Sequence, residues 1–272
     1  MIIYITLGMI LGIMVLYLWM IMPKMINRPD MRAFKKYFAH RGLHQDNSIS
    51  PENSMTAFAL AVEKGYGIEL DVQLSKDGLP VVFHDESLKR VCGIDKKVKD
   101  LTFQELRKLY LLTSQETIPH LQEVLDLVDG KVPLIIELKG QTRDISLCTV
   151  VAHYLDQYPG RYCIESFNPL MLRWFKRNRP QVIRGQLSSD FVKSGDTGGD
   201  KRLYFLLKHL LLNILSKPNF IAYNHLYHHL LSFKVCRGLY KIPTVAWTIK
   251  SVKELQESKK DFDHFIFENF IP

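Results

Sequence analysis

Eight short apolar runs recur along this chain, with helical patterns between most of them. They are "YFAHR" (37–41), "GIELDVQ" (67–73), "PLIIELK" (133–139), "YCIES" (162–166), "VIRGQL" (182–187), "FIAY" (220–223), "TVAWTI" (244–249) and "HFIFEN" (264–269). Strands that alternate with helices run parallel, because each helix carries the chain back to the starting end of the sheet. Eight such units in about 240 residues match a closed (β/α)8 TIM barrel, for which about 250 residues is typical. A ninth run, "VVFH", follows the turn signal "SKDG" and reads as a small insertion paired with the second strand.

Ahead of the barrel stands "MIIYITLGMILGIMVLYLWMIM", 22 residues without a charged side chain. As a helix they reach about 33 Å, enough for a hydrocarbon core of about 30 Å. The basic start, shorter apolar stretch and small-residue cleavage site of a secretory signal peptide are missing. Tyr4 suits one interfacial belt, and Tyr17 and Trp19 the other. Lys24, Arg28, Arg32, Lys35 and Lys36 then face only Asp30. The positive-inside rule places the remainder of the chain in the cytoplasm, on a single-pass anchor in the cell membrane. The expected division is a transmembrane helix over 1–23, a basic juxtamembrane linker over 24–36 and the barrel over 37–272.

The formal charge is +8. Because the linker concentrates so much of it beside the membrane, an anionic membrane surface is the expected partner, and nucleic acid is not. Cys92, Cys148, Cys163 and Cys236 lie far apart, with neither metal-ligand spacing nor a disulfide framework.

Active sites of such barrels sit at the C-terminal strand ends, so polar residues there are read first. Glu69 and Asp71 are two apart on one strand and point the same way. Glu137 comes from the next strand. Three carboxylates converging in a barrel need protonation, cationic partners or a metal. Their oxygen ligands suit one divalent cation, Mg²⁺ or Ca²⁺. An ion-pair network with Arg41 and Lys139 is the competing arrangement, but two cations against three carboxylates leave net negative charge buried. His40 and His84, at strand ends beside this cluster, supply an acid and a base. Arg41 and Lys139 supply cations for a phosphate. Metal, two histidines and two cations together describe phosphodiester cleavage.

Four motifs then carry a resemblance. They are "HRG" (40–42), "PENSMTAF" (51–58), "IELDVQLSKDGLPVVFHD" (68–85) and "IELK" (136–139), with weaker matches at Ser166-Phe167, Tyr223 and Trp247-Thr248. In order and spacing the chain resembles the glycerophosphodiester phosphodiesterases from about Tyr37 to Pro272. The resemblance implies a (β/α)8 barrel with an insertion after the second strand. It implies Glu69, Asp71 and Glu137 as metal ligands, His40 and His84 as the catalytic pair, and Arg41, Lys139 and Trp247 around the substrate. It also implies the reaction: the substrate's own glycerol hydroxyl attacks phosphorus, and water opens the resulting cyclic phosphate to glycerol 3-phosphate. A lysophospholipase D acting on membrane lysophospholipids keeps this chemistry with another substrate. A catalytically inactive membrane-bound barrel is the third reading, against which the complete set of site residues argues.

Further expectations concern single segments. Asn53 is read as the N-cap of the first barrel helix, and "FQELRKLYLL" as a helix. His44 is read as a solvated loop residue, and no site role is assigned to Glu268 or Asn269. "GDTGGDK" (195–201) is read as a loop. Lys201 to Ser216 reads as one helix with a broad apolar face, either an outer barrel helix or a membrane-surface helix. The usual eighth helix is missing, which predicts an apolar groove between the last and first helices, covered by the tail or the membrane.

Overall fold

The computed structural model describes residues 1–28, 31, 34–140, 143–195 and 199–272. Among these described residues nine strands form one sheet: β1 (Tyr37–Ala39), β2 (Gly67–Leu74), β3 (Pro80–Val82), β4 (Leu134–Leu138), β5 (Tyr162–Ser166), β6 (Arg184–Ser188), β7 (Phe220–Asn224), β8 (Thr244–Ile249) and β9 (His264–Phe267). Their order is β1-β9-β8-β7-β6-β5-β4-β2-β3, and β1 also pairs with β2, which closes the barrel. Eight strands are mutually parallel; β3 alone is antiparallel, with Val72 opposite Val82. Every one of the eight apolar runs is a barrel strand, and "VVFH" forms the inserted one.

The helices are α1 (Ile2–Ile21), α2 (Met55–Glu63), α3 (Lys89–Cys92), α4 (Phe103–Leu106), α5 (Leu121–Val128), α6 (Ser146–Leu155), α7 (Pro169–Asn178), α8 (Lys201–Lys208), α9 (Asn213–Ser216), α10 (Leu231–Gly238) and α11 (Val252–Ser258). Local chemistry starts several of them. Ser54 caps α2 by accepting from the Ala57 amide, and Asn168 caps α7, with Pro169 at its first position. A capping box of His120 and Glu123 opens α5.

Strand alternation sorts two cores. Ile68, Leu70, Val72, Leu134, Ile136 and Ile164 face the helices. Inside the barrel lie Phe38, Ile135, Cys163, Phe220, Val245 and Ile266, and Met31 and Phe34 of the juxtamembrane segment close its floor. The same inward face that is apolar low in the barrel becomes charged toward the C-terminal ends: Ile135 gives way to Glu137, and Cys163 to Glu165. The insertion is larger than a hairpin. Val81, Phe83, Leu88, Val91, Leu106, Leu111 and Ile118 give it a core of its own. Only Phe103–Leu106 of the expected helix "FQELRKLYLL" is helical, because Leu109 and Leu111 beyond it are spent on that core.

Among the described residues α1 is the one helix long and apolar enough to cross a membrane. Its C-terminal carbonyls, orphaned in any helix, find donors on the barrel. Tyr240 donates to the Leu18 carbonyl at 2.9 Å, and Asn213 to that of Ile21 at 2.9 Å. Lys217 donates to Met22 at 3.0 Å. Ile21 is fully buried. In the linker, Arg28 donates to the carbonyls of Tyr240 and Lys241; Asp30 and Arg32 lie outside the described residues.

The tail, the first of the two expected covers, is not what lies over the gap between α11 and α2. The linker passes beneath the barrel instead, because Met31 and Phe34 have an apolar floor to fill. On the outer face of β9, Tyr66 meets Phe267 edge-on at 5.0 Å, and Phe270 meets the same ring at 5.8 Å. Lys201 to Ser216 is two helices, α8 and α9, broken at Leu210, which takes φ +57°. In the segment before α8, residues 196–198 lie outside the described residues.

Candidate active site

Register brings the carboxylates together. Asp71 on β2 lies beside Glu137 on β4, which lies beside Glu165 on β5. Glu69 stands two residues before Asp71. Oxygens of Glu69, Asp71 and Glu137 all lie within 4.8 Å of one another, and all three residues are buried. Lys139 bridges two of them, at 2.9 Å from both Asp71 and Glu137. Arg41 approaches Asp71 at 3.5 Å and is shared with Glu52 at 2.8 Å. The Arg41 backbone, at φ +54°, turns its amide to Glu69 at 3.0 Å. The next residue must be glycine: Gly42 has φ +83°, and a Cβ there would sit 2.9 Å from the α2 backbone at Ala57.

The two cations do not neutralise this cluster. Burial and the neighbouring carboxylates push Glu69 well above the usual carboxylate range, and Glu137 also upward. Burial opposes the charge of Asp71, but Lys139, His84 and Arg41 outweigh it and hold that carboxyl low. Glu165 is raised by burial and by Glu137, and its Oε2 has no hydrogen-bond partner. Surplus negative charge with an orphaned carboxylate oxygen fits a hard divalent cation.

His40 follows β1. Its Nδ1 lies 2.5 Å from Glu268 Oε2, so Nδ1–H donates to the carboxylate and the Nε2 of the neutral ring is left as an acceptor. Nε2 points toward Glu69, 3.9 Å away. Burial, and next the Arg41 charge, lower His40 to about 4 despite Glu268. His84 is oriented alike, with Nδ1 2.7 Å from Asp85. Asp85 is fixed by Arg90 at 2.6 Å, and Arg90 reaches Glu52 at 2.7 Å. Trp247 stands on β8, across the barrel from β4, edge-on to Phe167 at 5.6 Å.

Three residues take places other than those expected. Asn53 does not cap α2. At φ +56° it turns inward and donates to Asp71 at 2.9 Å, leaving the cap to Ser54. His44 is only partly exposed and lies 3.8 Å from Glu268. Glu268 joins His40, His44 and Lys250, the last at 2.9 Å, and despite burial they hold it far below the usual carboxylate range. Glu165 was legible in principle: "YCIES" repeats the apolar-then-acidic pattern of "IIELK".

The family model for the glycerophosphoryl diester phosphodiesterase family matches residues 40–261. The chain belongs to this family. It is accordingly an enzyme of the phosphoric diester hydrolase class. A glycerophosphodiester phosphodiesterase of Bacillus altitudinis is 36% identical over 175 residues, 59% of this chain and 69% of the relative. Human glycerophosphodiester phosphodiesterase 1 is 33% identical over 64% of this chain and 55% of its own length. Among solved structures, a phosphodiesterase of Oleispira antarctica, in complex with the product sn-glycerol-3-phosphate, superposes with TM-score 0.70. It has 23% identity and covers 87% of this chain and 94% of its own. The glycerophosphodiester phosphodiesterase of Thermotoga maritima gives TM-score 0.65 at 26% identity, over 85% and 93%.

Proposed function

We propose that the protein hydrolyses glycerophosphodiesters to glycerol 3-phosphate and an alcohol, using a divalent cation and a histidine pair, while anchored in the cell membrane by α1. The observation that carries the chemistry is the crowding of Glu69, Asp71 and Glu137 between two histidines whose Nδ1 atoms are each engaged by a carboxylate. Glu69, Asp71 and Glu137 would hold Mg²⁺ or Ca²⁺, which when bound supplies charge neutralisation at a phosphate oxygen. Arg41 and Lys139 add positive charge on the same side. His40 is neutral at pH 7 and offers Nε2 as the base for the attacking glycerol hydroxyl. His84 delivers a proton to the leaving alcohol. Trp247 is assigned to the organic part of the substrate.

The anchor reading is supported by the way α1 ends: its last carbonyls are hydrogen-bonded by the folded barrel, which gives the helix a place in the fold. The basic residues after the span support a cytoplasmic barrel by the positive-inside rule. A second reading, lysophospholipase D, is supported by a row of aromatic rings leading away from Trp247. Phe167 meets Phe191 at 5.7 Å, and Phe191 stacks on Tyr204 at 4.7 Å. Such a row suits an acyl chain.

The deciding experiment is a product assay on glycerophosphocholine, glycerophosphoethanolamine and lysophosphatidylcholine, with and without EDTA. Glycerol 3-phosphate from the first two, lost in EDTA and in both His40→Ala and His84→Ala, is expected. Full turnover after metal removal would end the metal reading. Release of choline from lysophosphatidylcholine alone would replace the first reading by the second.

A further inference from the structure

The course of α1 along the barrel decides which face the membrane meets. Tyr17 lies beside Ser232, in the first turn of α10, and near Cys236. One turn later the Ile21 carbonyl meets Cys236 and Asn213. Met22 and Lys24 then reach Lys217 and Pro218, just before β7 begins. Since α10 starts at the C-terminal end of β7 and ends before β8, residues 17–24 run toward the barrel floor. Traced the other way, α1 climbs past the start of α10. It leaves the barrel on the side of the C-terminal strand ends, where His40, Glu137 and Glu268 lie. Residues 2–16 are exposed throughout. At about 1.5 Å per residue they carry uncharged helix about 22 Å beyond that rim, short of a hydrocarbon core of about 30 Å, so an α1 that spans draws the rim into the headgroup layer or thins the bilayer around it.

The rim beside α1 is apolar where βα loops facing water would be polar. Val192 is 61% exposed, Phe205 56%, Leu226 60% and Leu231 66%. All four follow β6 or β7. Tyr227 donates to the Lys193 carbonyl at 3.2 Å, which ties the two loops into one surface. Lys208 pairs with Asp190 at 2.7 Å and accepts through its carbonyl from Tyr223, which lays α8 across the strand ends. Exposed Lys193, Lys201 and Arg202 add positive charge to the same region. The aromatic row from Trp247 to Tyr204 ends at α8, between the site and this rim.

We infer that the active-site mouth faces the bilayer, with Val192, Phe205, Leu226 and Leu231 set among the lipid headgroups, so that substrate enters from the membrane surface. The inference rests on α1 being a membrane span. It extends that reading by fixing which end of the barrel touches lipid.

The test uses the full chain carrying Cys92→Ser, with a single environment-sensitive fluorophore at Leu226→Cys, Leu231→Cys or, on the opposite end, Lys131→Cys. Each is reconstituted in phosphatidylcholine–phosphatidylglycerol vesicles containing a lipid with a nitroxide headgroup. Loss of emission at 226 and 231 is expected, with emission at 131 retained. Quenching at 131 with a bright rim would put the floor against the bilayer and overturn the inference, as would no quenching at any position. An alkaline carbonate wash separates the two readings. A chain stripped from the vesicles has no span, and both fail. A chain that is retained but has an unquenched rim defeats the orientation alone.

Discussion

Glu268 and Glu52 act on the site through other residues, and each can be isolated. Glu268 holds the Nδ1 of His40 and so determines which nitrogen faces the substrate. Glu268→Gln keeps the shape and removes the charge, and turnover is expected to fall about 10- to 100-fold, as for other partners that orient a functional histidine. A shifted acid limb of the pH–rate profile should accompany the loss; unchanged turnover and profile would make Glu268 merely structural. Glu52 links Arg41 to Arg90. Burial opposes its charge, but Arg90 and Arg41 outweigh burial and pull it to about 2. A carboxyl depressed in the folded state stabilises above its unfolded pKa, about 4.3, and that stability is lost as pH falls toward 2. Thermal unfolding of Glu52→Gln should therefore show a deficit at pH 6 that narrows as pH drops from 5 to 3. A deficit independent of pH would mean that the charge is not what stabilises.

Among the elements, α1 has two parts with different physics. Residues 2–16 are exposed, while Ile21 is buried against the barrel. Ile21→Ala removes buried methyl and methylene groups and should cost about 2–5 kcal/mol, read as a lower melting temperature of the full chain in detergent. Leu11→Ala, in the exposed part, should leave melting unchanged. Equal effects would show that α1 is not docked as described. Helix α8 is the second instructive element. Its sequence suits an outer barrel helix, and with the break at Leu210 its C-terminal end is fastened to the ends of β6 and β7, where Leu207 and Lys208 accept from Ser188 and Tyr223.

For the whole molecule, a cation that binds only the folded carboxylate cluster must raise stability by mass action, about 2.7 kcal/mol at a hundredfold excess over its dissociation constant. Mg²⁺ or Ca²⁺ should therefore raise the melting temperature of the wild type, and Glu69→Gln should abolish that rise. A rise unaltered by Glu69→Gln would place the ion elsewhere. Topology is tested on intact cells: added protease should spare the barrel, and digestion while a cytoplasmic control survives would reverse the orientation.

Period-two and helical patterning, together with the uncharged N-terminal run, determined the strand count, the parallel barrel and the helix ahead of it, because each depends only on local periodicity and chain length. The same alternation placed Glu69, Asp71 and Glu137 on the inward face. Tertiary structure decided the rest. Asn53 reads as a helix cap until the fold shows Asp71 across from it. Glu268 and His44, at opposite ends of the barrel sequence, become partners only when β9 closes on β1. Met31 and Phe34 became the barrel floor, and α1 took its direction from α10, because both are matters of which surfaces remain unfilled once the barrel has closed.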